Sequence, residues 1–159
     1  MYSFILYMVL SASHGEFLFW GIEEVMIGII IAGVVTLASS KILDRISGHE
    51  FLLNPVKVLL LLVYAVGPFF YNMARANLAV AYMVITGKYN PGIVKVESGL
   101  EKDVSMALLA NSITLTPGTL TVDIDDKDLY IHWMDVTHPE PDRAEVCSNF
   151  PEWARRIAE

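Results

Sequence analysis

The chain has 159 residues, 54% of them hydrophobic and only 18% charged, where ordinary soluble domains carry about 25% charged residues. Residues 1–87 hold four basic and five acidic side chains, and residues 88–159 hold seven basic and thirteen acidic, a net charge of −6. This asymmetry excludes one uniform soluble fold and predicts a bilayer-like half, residues 1–87, joined to a small acidic domain, residues 88–159.

An acidic domain without a basic stripe repels a phosphate backbone, so no nucleic acid is expected as a partner. Cys147 is the only cysteine, which leaves no intramolecular disulfide and no zinc spacing. The N-terminus lacks the basic start and the small-residue cleavage site of a secretory signal.

A spanning helix needs about 20 apolar residues to cross a hydrocarbon core about 30 Å thick. Residues 2–20 carry Ser11, Ser13, His14 and Glu16 in their second half. If they span, Trp20 belongs at the interface and Gly21–Glu24 forms a tight hairpin turn. Residues 25–43 are uncharged until Lys41, with Gly28 and Gly33 small enough to admit another helix. Residues 56–74 carry one charge, Lys57, at their start. The expectation is three spans, with two as the alternative. From Asn72 to Ile85 the run stays apolar but includes Asn72, Arg75 and Asn77. Two readings stand equally: a helix leaving the bilayer to lie on its surface, or a longer, tilted third span. Gly87 should end that helix, and Asn90-Pro91-Gly92 reads as a turn.

Beyond the turn, residues 93–97 alternate as a strand, and residues 100–113 place Val104, Leu108 and Leu109 at helical spacing. Pro117 and Gly118 suit the centre of a type II turn. Residues 119–124 and 129–136 read as strands joined by a hairpin at Asp125–Asp128. Residues 142–158 read as helical, divided at Pro151, with Val146, Phe150, Trp153 and Ile157 along one face. The sum is β-α-β-β-α, a small α+β unit with helices on one face of its sheet.

Candidate sites are few. Asp123, Asp125, Asp126 and Asp128 lack the loop length and glycine bend of a calcium site and read as a solvated hairpin. His132, His138 and Asp135 read as strand decoration rather than metal ligands. Thr114, Thr116 and Thr119 around Pro117 lack the glycine-rich loop and lysine of a phosphate cradle and read as turn caps. His14, Glu16, Glu23 and Glu24 are the candidates for a proton relay, because ionisable groups at membrane depth are functional by default.

The run LLANSITLTPGTLTVDIDDKDLYIHW, residues 108–133, resembles the hallmark segment of the E-type subunits of the Mrp (Mnh) multisubunit cation/proton antiporters. The specific part is Asn111, Thr114, Thr116, Pro117, Gly118 and Thr119. Chain length and the hydrophobic block agree, so the resemblance covers nearly the whole chain. It implies a non-catalytic accessory subunit of a prokaryotic, multi-pass membrane complex that moves monovalent cations such as sodium against protons. Related subunits of archaeal membrane-bound hydrogenases and similar complex I-like assemblies are the alternative, and an independent membrane-tethered binding module is a third. The implied partners are other membrane subunits and the lipid bilayer. No cofactor, metal, catalytic residue or small-molecule substrate is expected for this chain alone. Lys41, Arg45 and Lys57 place the segment between the second and third helices in the cytoplasm, which puts the acidic domain outside if there are three spans. The resemblance implies a cytoplasmic domain instead, and that is the expectation adopted.

Overall fold

A computed structural model describes residues 22–43, 45–138 and 140–159. The chain forms two compact units, Met1–Ile46 and Ser47–Glu159. In the first, helix α1 covers Ile22–Leu43. It begins three residues before the predicted start, so Ile22–Glu24 are helical rather than part of a hairpin turn. The expected span over residues 2–20 lies outside the described residues.

The second unit is built on one long helix, α2, Pro55–Thr86. Asn54 caps its start: the side-chain carbonyl accepts the Val56 N–H at 3.0 Å, and Pro55, lacking an N–H, fits the first turn. Gly87 ends it with a φ of 66° and donates its N–H to the Met83 carbonyl at 2.8 Å, as the sequence predicts. At 32 residues α2 is long and apolar enough to cross a membrane. It runs through residue 74 to Thr86 as one unbroken element, which is the helix end expected on either reading of residues 72–85.

Its one irregularity is a π-helical turn, Ala65–Phe69, that contains Pro68. Proline has no N–H and its ring crowds the carbonyl four residues back, so a widened turn relieves both problems. The turn also sets a register. Lys57, Leu61, Tyr64, Pro68, Asn72, Ala76, Val80 and Met83 mark the covered side of α2. They span 26 residues in seven turns, whereas seven regular turns take about 25. The residue inserted by the π turn keeps both halves of the stripe on one side.

The remainder is the predicted α+β unit: β1 (Gly92–Glu97), α3 (Asp103–Leu115), β2 (Thr119–Asp125), β3 (Asp128–Trp133), α4 (Arg143–Cys147) and α5 (Phe150–Ala158). The sheet is antiparallel throughout, in the order β1-β3-β2, with Val94 opposite Ile131 and Val96 opposite Leu129. Those four side chains face the core, where they meet Leu100, Leu109, Ile113, Phe150 and Ile157.

Several expectations are corrected. Asn90-Pro91-Gly92 is not a turn. Asn90 is bridged to the segment after β3, its N–H donating to Met134 and its carbonyl accepting from Val136, and Gly92 already belongs to β1. Helix α3 starts at Asp103, so Leu100 is buried from the irregular segment before it. The buried stripe of α3 is Ser105, Met106, Leu109, Ser112 and Ile113, and of the three residues predicted only Leu109 is fully buried. Strand β3 ends at Trp133 rather than Val136. The tail is divided as expected, with Pro151 in the first turn of α5 and Ser148-Asn149 between the two helices. Val146, Phe150 and Ile157 are buried as expected, with Trp153 half-buried.

Candidate functional site

The proton-relay candidates cannot be placed: His14 and Glu16 lie outside the described residues. Glu23 and Glu24 fall in the first turn of α1, and their side chains are likewise outside what is described. The hallmark segment, in contrast, is fully placed.

Its hydroxyls are absorbed in ending a helix. The last carbonyls of an α-helix have no partners within it. Thr116 Oγ1 donates to the Ser112 carbonyl at 2.7 Å, and Thr119 Oγ1 lies 2.7 Å from the Ile113 carbonyl and 3.0 Å from that of Thr116. Thr114 Oγ1 accepts the Thr121 N–H at 3.2 Å, and Thr121 Oγ1 donates to the Ala110 carbonyl at 3.1 Å. The Thr119 N–H returns to the Thr116 carbonyl at 3.3 Å across Pro117-Gly118, and Gly118 has a φ of 88°, which is the type II turn predicted. Asn111 is exposed beside a shallow groove between α3 and β2 and is not among the capping groups.

The turn is pressed against α2. A Cβ built on Gly118 would lie 3.1 Å from Val80 Cγ2. Around that contact Asn72, Arg75, Ala76, Ala79 and Met83 face Thr116–Thr119, Trp133–Asp135 and Glu145 across a cavity of about 230 Å³. Towards the start of α2 the seam is sealed. The Tyr64 hydroxyl donates to Ser112 Oγ at 2.6 Å, and the Ser112 hydroxyl in turn donates to the Leu108 carbonyl at 2.7 Å. The Tyr64 ring lies 5.7 Å from Trp153 and 6.2 Å from Phe150, the latter edge-on. At the π turn Asn72 Nδ2 lies 2.9 Å from the Pro68 carbonyl and 3.0 Å from Asn149 Oδ1. Pro68 and Asn72, both unusual in an apolar helix, are the signals by which this seam could have been found. Nothing local could pair Tyr64 with Ser112, 48 residues away.

The other polar groups serve structure as well. Asp103 accepts the backbone N–H of Ser47 at 2.8 Å and its hydroxyl at 2.9 Å, which together hold its carboxyl below the usual range. The ion pair with Glu101 raises the Lys127 amine. Burial pushes the Cys147 thiol up to about 12, against the lowering field of Arg143, so it stays protonated and unreactive. Among the described residues no three His, Cys, Asp or Glu side chains converge as metal ligands. His138 faces Glu145 at 3.5 Å, and His132 sits opposite Ile93 and Leu120 on the outer sheet face.

The site is thus a seam between a long apolar helix and the small domain of the same chain. A family model described as a Na+/H+ ion antiporter subunit matches residues 1–157, and the chain belongs to that family, the E-type subunits of Na+/H+ antiporters. It is 36% identical over 115 residues to the E-type antiporter subunit of Alkalihalophilus pseudofirmus, covering 70% of this chain and 71% of that one. It is 30% identical over 142 residues to an E-type antiporter subunit of Staphylococcus haemolyticus, covering 87% and 85%. A chain of the membrane-bound sulfane sulfur reductase, an archaeal respiratory membrane complex, superposes with a TM-score of 0.76 at 34% identity, covering 98% of this chain and 96% of that one.

Proposed function

We propose that the chain is a non-catalytic accessory subunit of a multisubunit sodium/proton antiporter of a prokaryotic cell membrane, supporting its assembly and, through assembly, its ion translocation. The observation that carries this is the fate of the hallmark segment. Its threonine hydroxyls close the end of α3 and tie it to β2, and its glycine abuts α2, so most of the distinctive part of the sequence goes into building an interface. The partners are other membrane subunits and lipid, and residues 88–159 form the acidic domain, held on the cytoplasmic side. Deleting the chain should lower the amount of assembled complex on a native gel, and restoring it should recover both complex and flux. Full assembly without the chain contradicts the proposal.

A second reading has its own support. The likeness to the sulfane sulfur reductase chain extends over nearly both whole chains, which suits a corresponding place in a redox-driven respiratory complex. Native purification through a tag on this chain separates the two. Iron–sulfur absorption in the purified complex selects the redox assembly, and its absence with sodium-dependent proton flux selects the antiporter.

A further inference from the structure

Helix α2 is lined on one side by its own domain for almost its whole length. The contacts run from Leu60 and Leu61, packed on the core, through Tyr64, Phe69 and Asn72, to Val80 and Met83. From Leu60 to Met83 is about 35 Å of helix, more than the roughly 30 Å of a hydrocarbon core. Ionised groups of the domain lie beside both ends of this stretch. Asp135 and Glu145 share the cavity with Val80 and Met83, and Arg156 stacks over Trp153, which packs on Tyr64. A helix crossing the bilayer in this state would draw those charges into hydrocarbon, where charged groups are strongly disfavoured.

The opposite side of α2 is apolar and open. Leu59, Leu62, Val66, Phe70, Leu78, Tyr82 and Ile85 are all more than half exposed, and the π turn that aligns the covered stripe aligns this one too. Residues 55–89 contain Lys57, Arg75 and Lys88 and no acid, whereas residues 90–159 hold thirteen acids and six bases. Charge is therefore sorted across the unit: cations on the helix, excess acid in the domain behind it.

We infer that α2 lies in the plane of the membrane as an interfacial helix, its exposed stripe seated on anionic phospholipid and its domain standing in water. Apolar residues of such helices enter about 5–10 Å below the headgroups. Arg75, exposed and stacked over Tyr71 at the rim of the cavity, and Lys88, beyond the helix end, are within reach of lipid phosphate, Tyr71 and Tyr82 suit the boundary with their amphipathic rings, and the acidic domain is held away from the like-charged surface. This arrangement serves either parent complex.

Depth measurement tests it. In the full chain with Cys147→Ser, assembled with its partner subunits and placed in phosphatidylcholine–phosphatidylglycerol vesicles, single cysteines replace Leu59, Val66, Leu78 and Ile85 and carry nitroxide labels. Collision with oxygen and with a water-soluble nickel chelate then reports depth. The expected result is four shallow depths within about 5 Å of one another. Labels near the middle lying about 10–15 Å deeper than those at Leu59 and Ile85 would show a spanning helix and overturn the inference. Immobile labels that meet neither oxygen nor nickel would show the stripe covered by protein, and that also overturns it.

Discussion

The acidic domain contains two tight reversals, Thr116–Thr119 and Asp125–Asp128, that each carry one residue at positive φ and differ in surroundings. The first follows a helix whose carbonyls need partners, and it lies against α2 at Val80. The second joins β2 to β3 in water, with Asp126 at a φ of 53° and Lys127 paired to Glu101. Both need a positive φ, but only the first is an interface.

Substitutions that treat the two turns alike should separate them sharply. Gly118→Val places a β-branched residue at positive φ, which costs about 1–2 kcal/mol for the backbone alone, and its Cβ meets Val80 at 3.1 Å. Recovery of this variant in the assembled complex should fall severalfold. Asp126→Ala also leaves a side chain at positive φ, at an exposed position, and should cost about 1 kcal/mol within the domain, with recovery in the complex unchanged. Equal recovery of the two variants on a native gel would mean that the first turn is not an interface.

The sealed end of the seam gives a finer comparison. Ser112→Ala leaves the Tyr64 hydroxyl buried without its partner, at about 1–3 kcal/mol, whereas Tyr64→Phe removes a donor that Ser112 can lose, at about 0.5–1.5 kcal/mol. Hydrogen exchange along α3 in the assembled complex should therefore quicken more for Ser112→Ala. The reverse order would place the energetic weight of the contact on the tyrosine ring's hydroxyl alone.

The smallest effect is expected at the Ser47 clip. Asp103 has a depressed folded pKa, so its contribution is present above the unfolded value of about 3.9 and is lost as pH falls through the lower folded value. Asp103→Asn should loosen the first turn of α3 at pH 7, and the gap to the parent should close only once the pH falls below about 3.9. A gap independent of pH would remove the carboxylate from the account.

What the sequence disclosed was whatever depends on near neighbours. Pro117-Gly118 specifies its turn, Gly87 its helix end, and the alternation of Val94 and Val96 its buried sheet face, each within a few residues. Asn90-Pro91-Gly92 has turn composition, yet bonds to Met134 and Val136 hold it extended, and those partners arrive only with the fold. The pairing of Tyr64 with Ser112 was equally out of reach. Pro68 was readable as an irregularity, but its consequence, one inserted residue that keeps two stripes in line, depends on a domain packed along both halves of the helix.

The contrast between a built interface and candidate relay groups leads to one direct measurement. Proton flux per assembled complex should be compared in vesicles for the parent, His14→Ala, Glu16→Gln and Gly118→Val. The account predicts normal flux per complex in all four, with Gly118→Val reducing only the number of complexes. A fall in flux per complex for His14→Ala or Glu16→Gln, at normal abundance, would contradict it and make this chain part of the proton path.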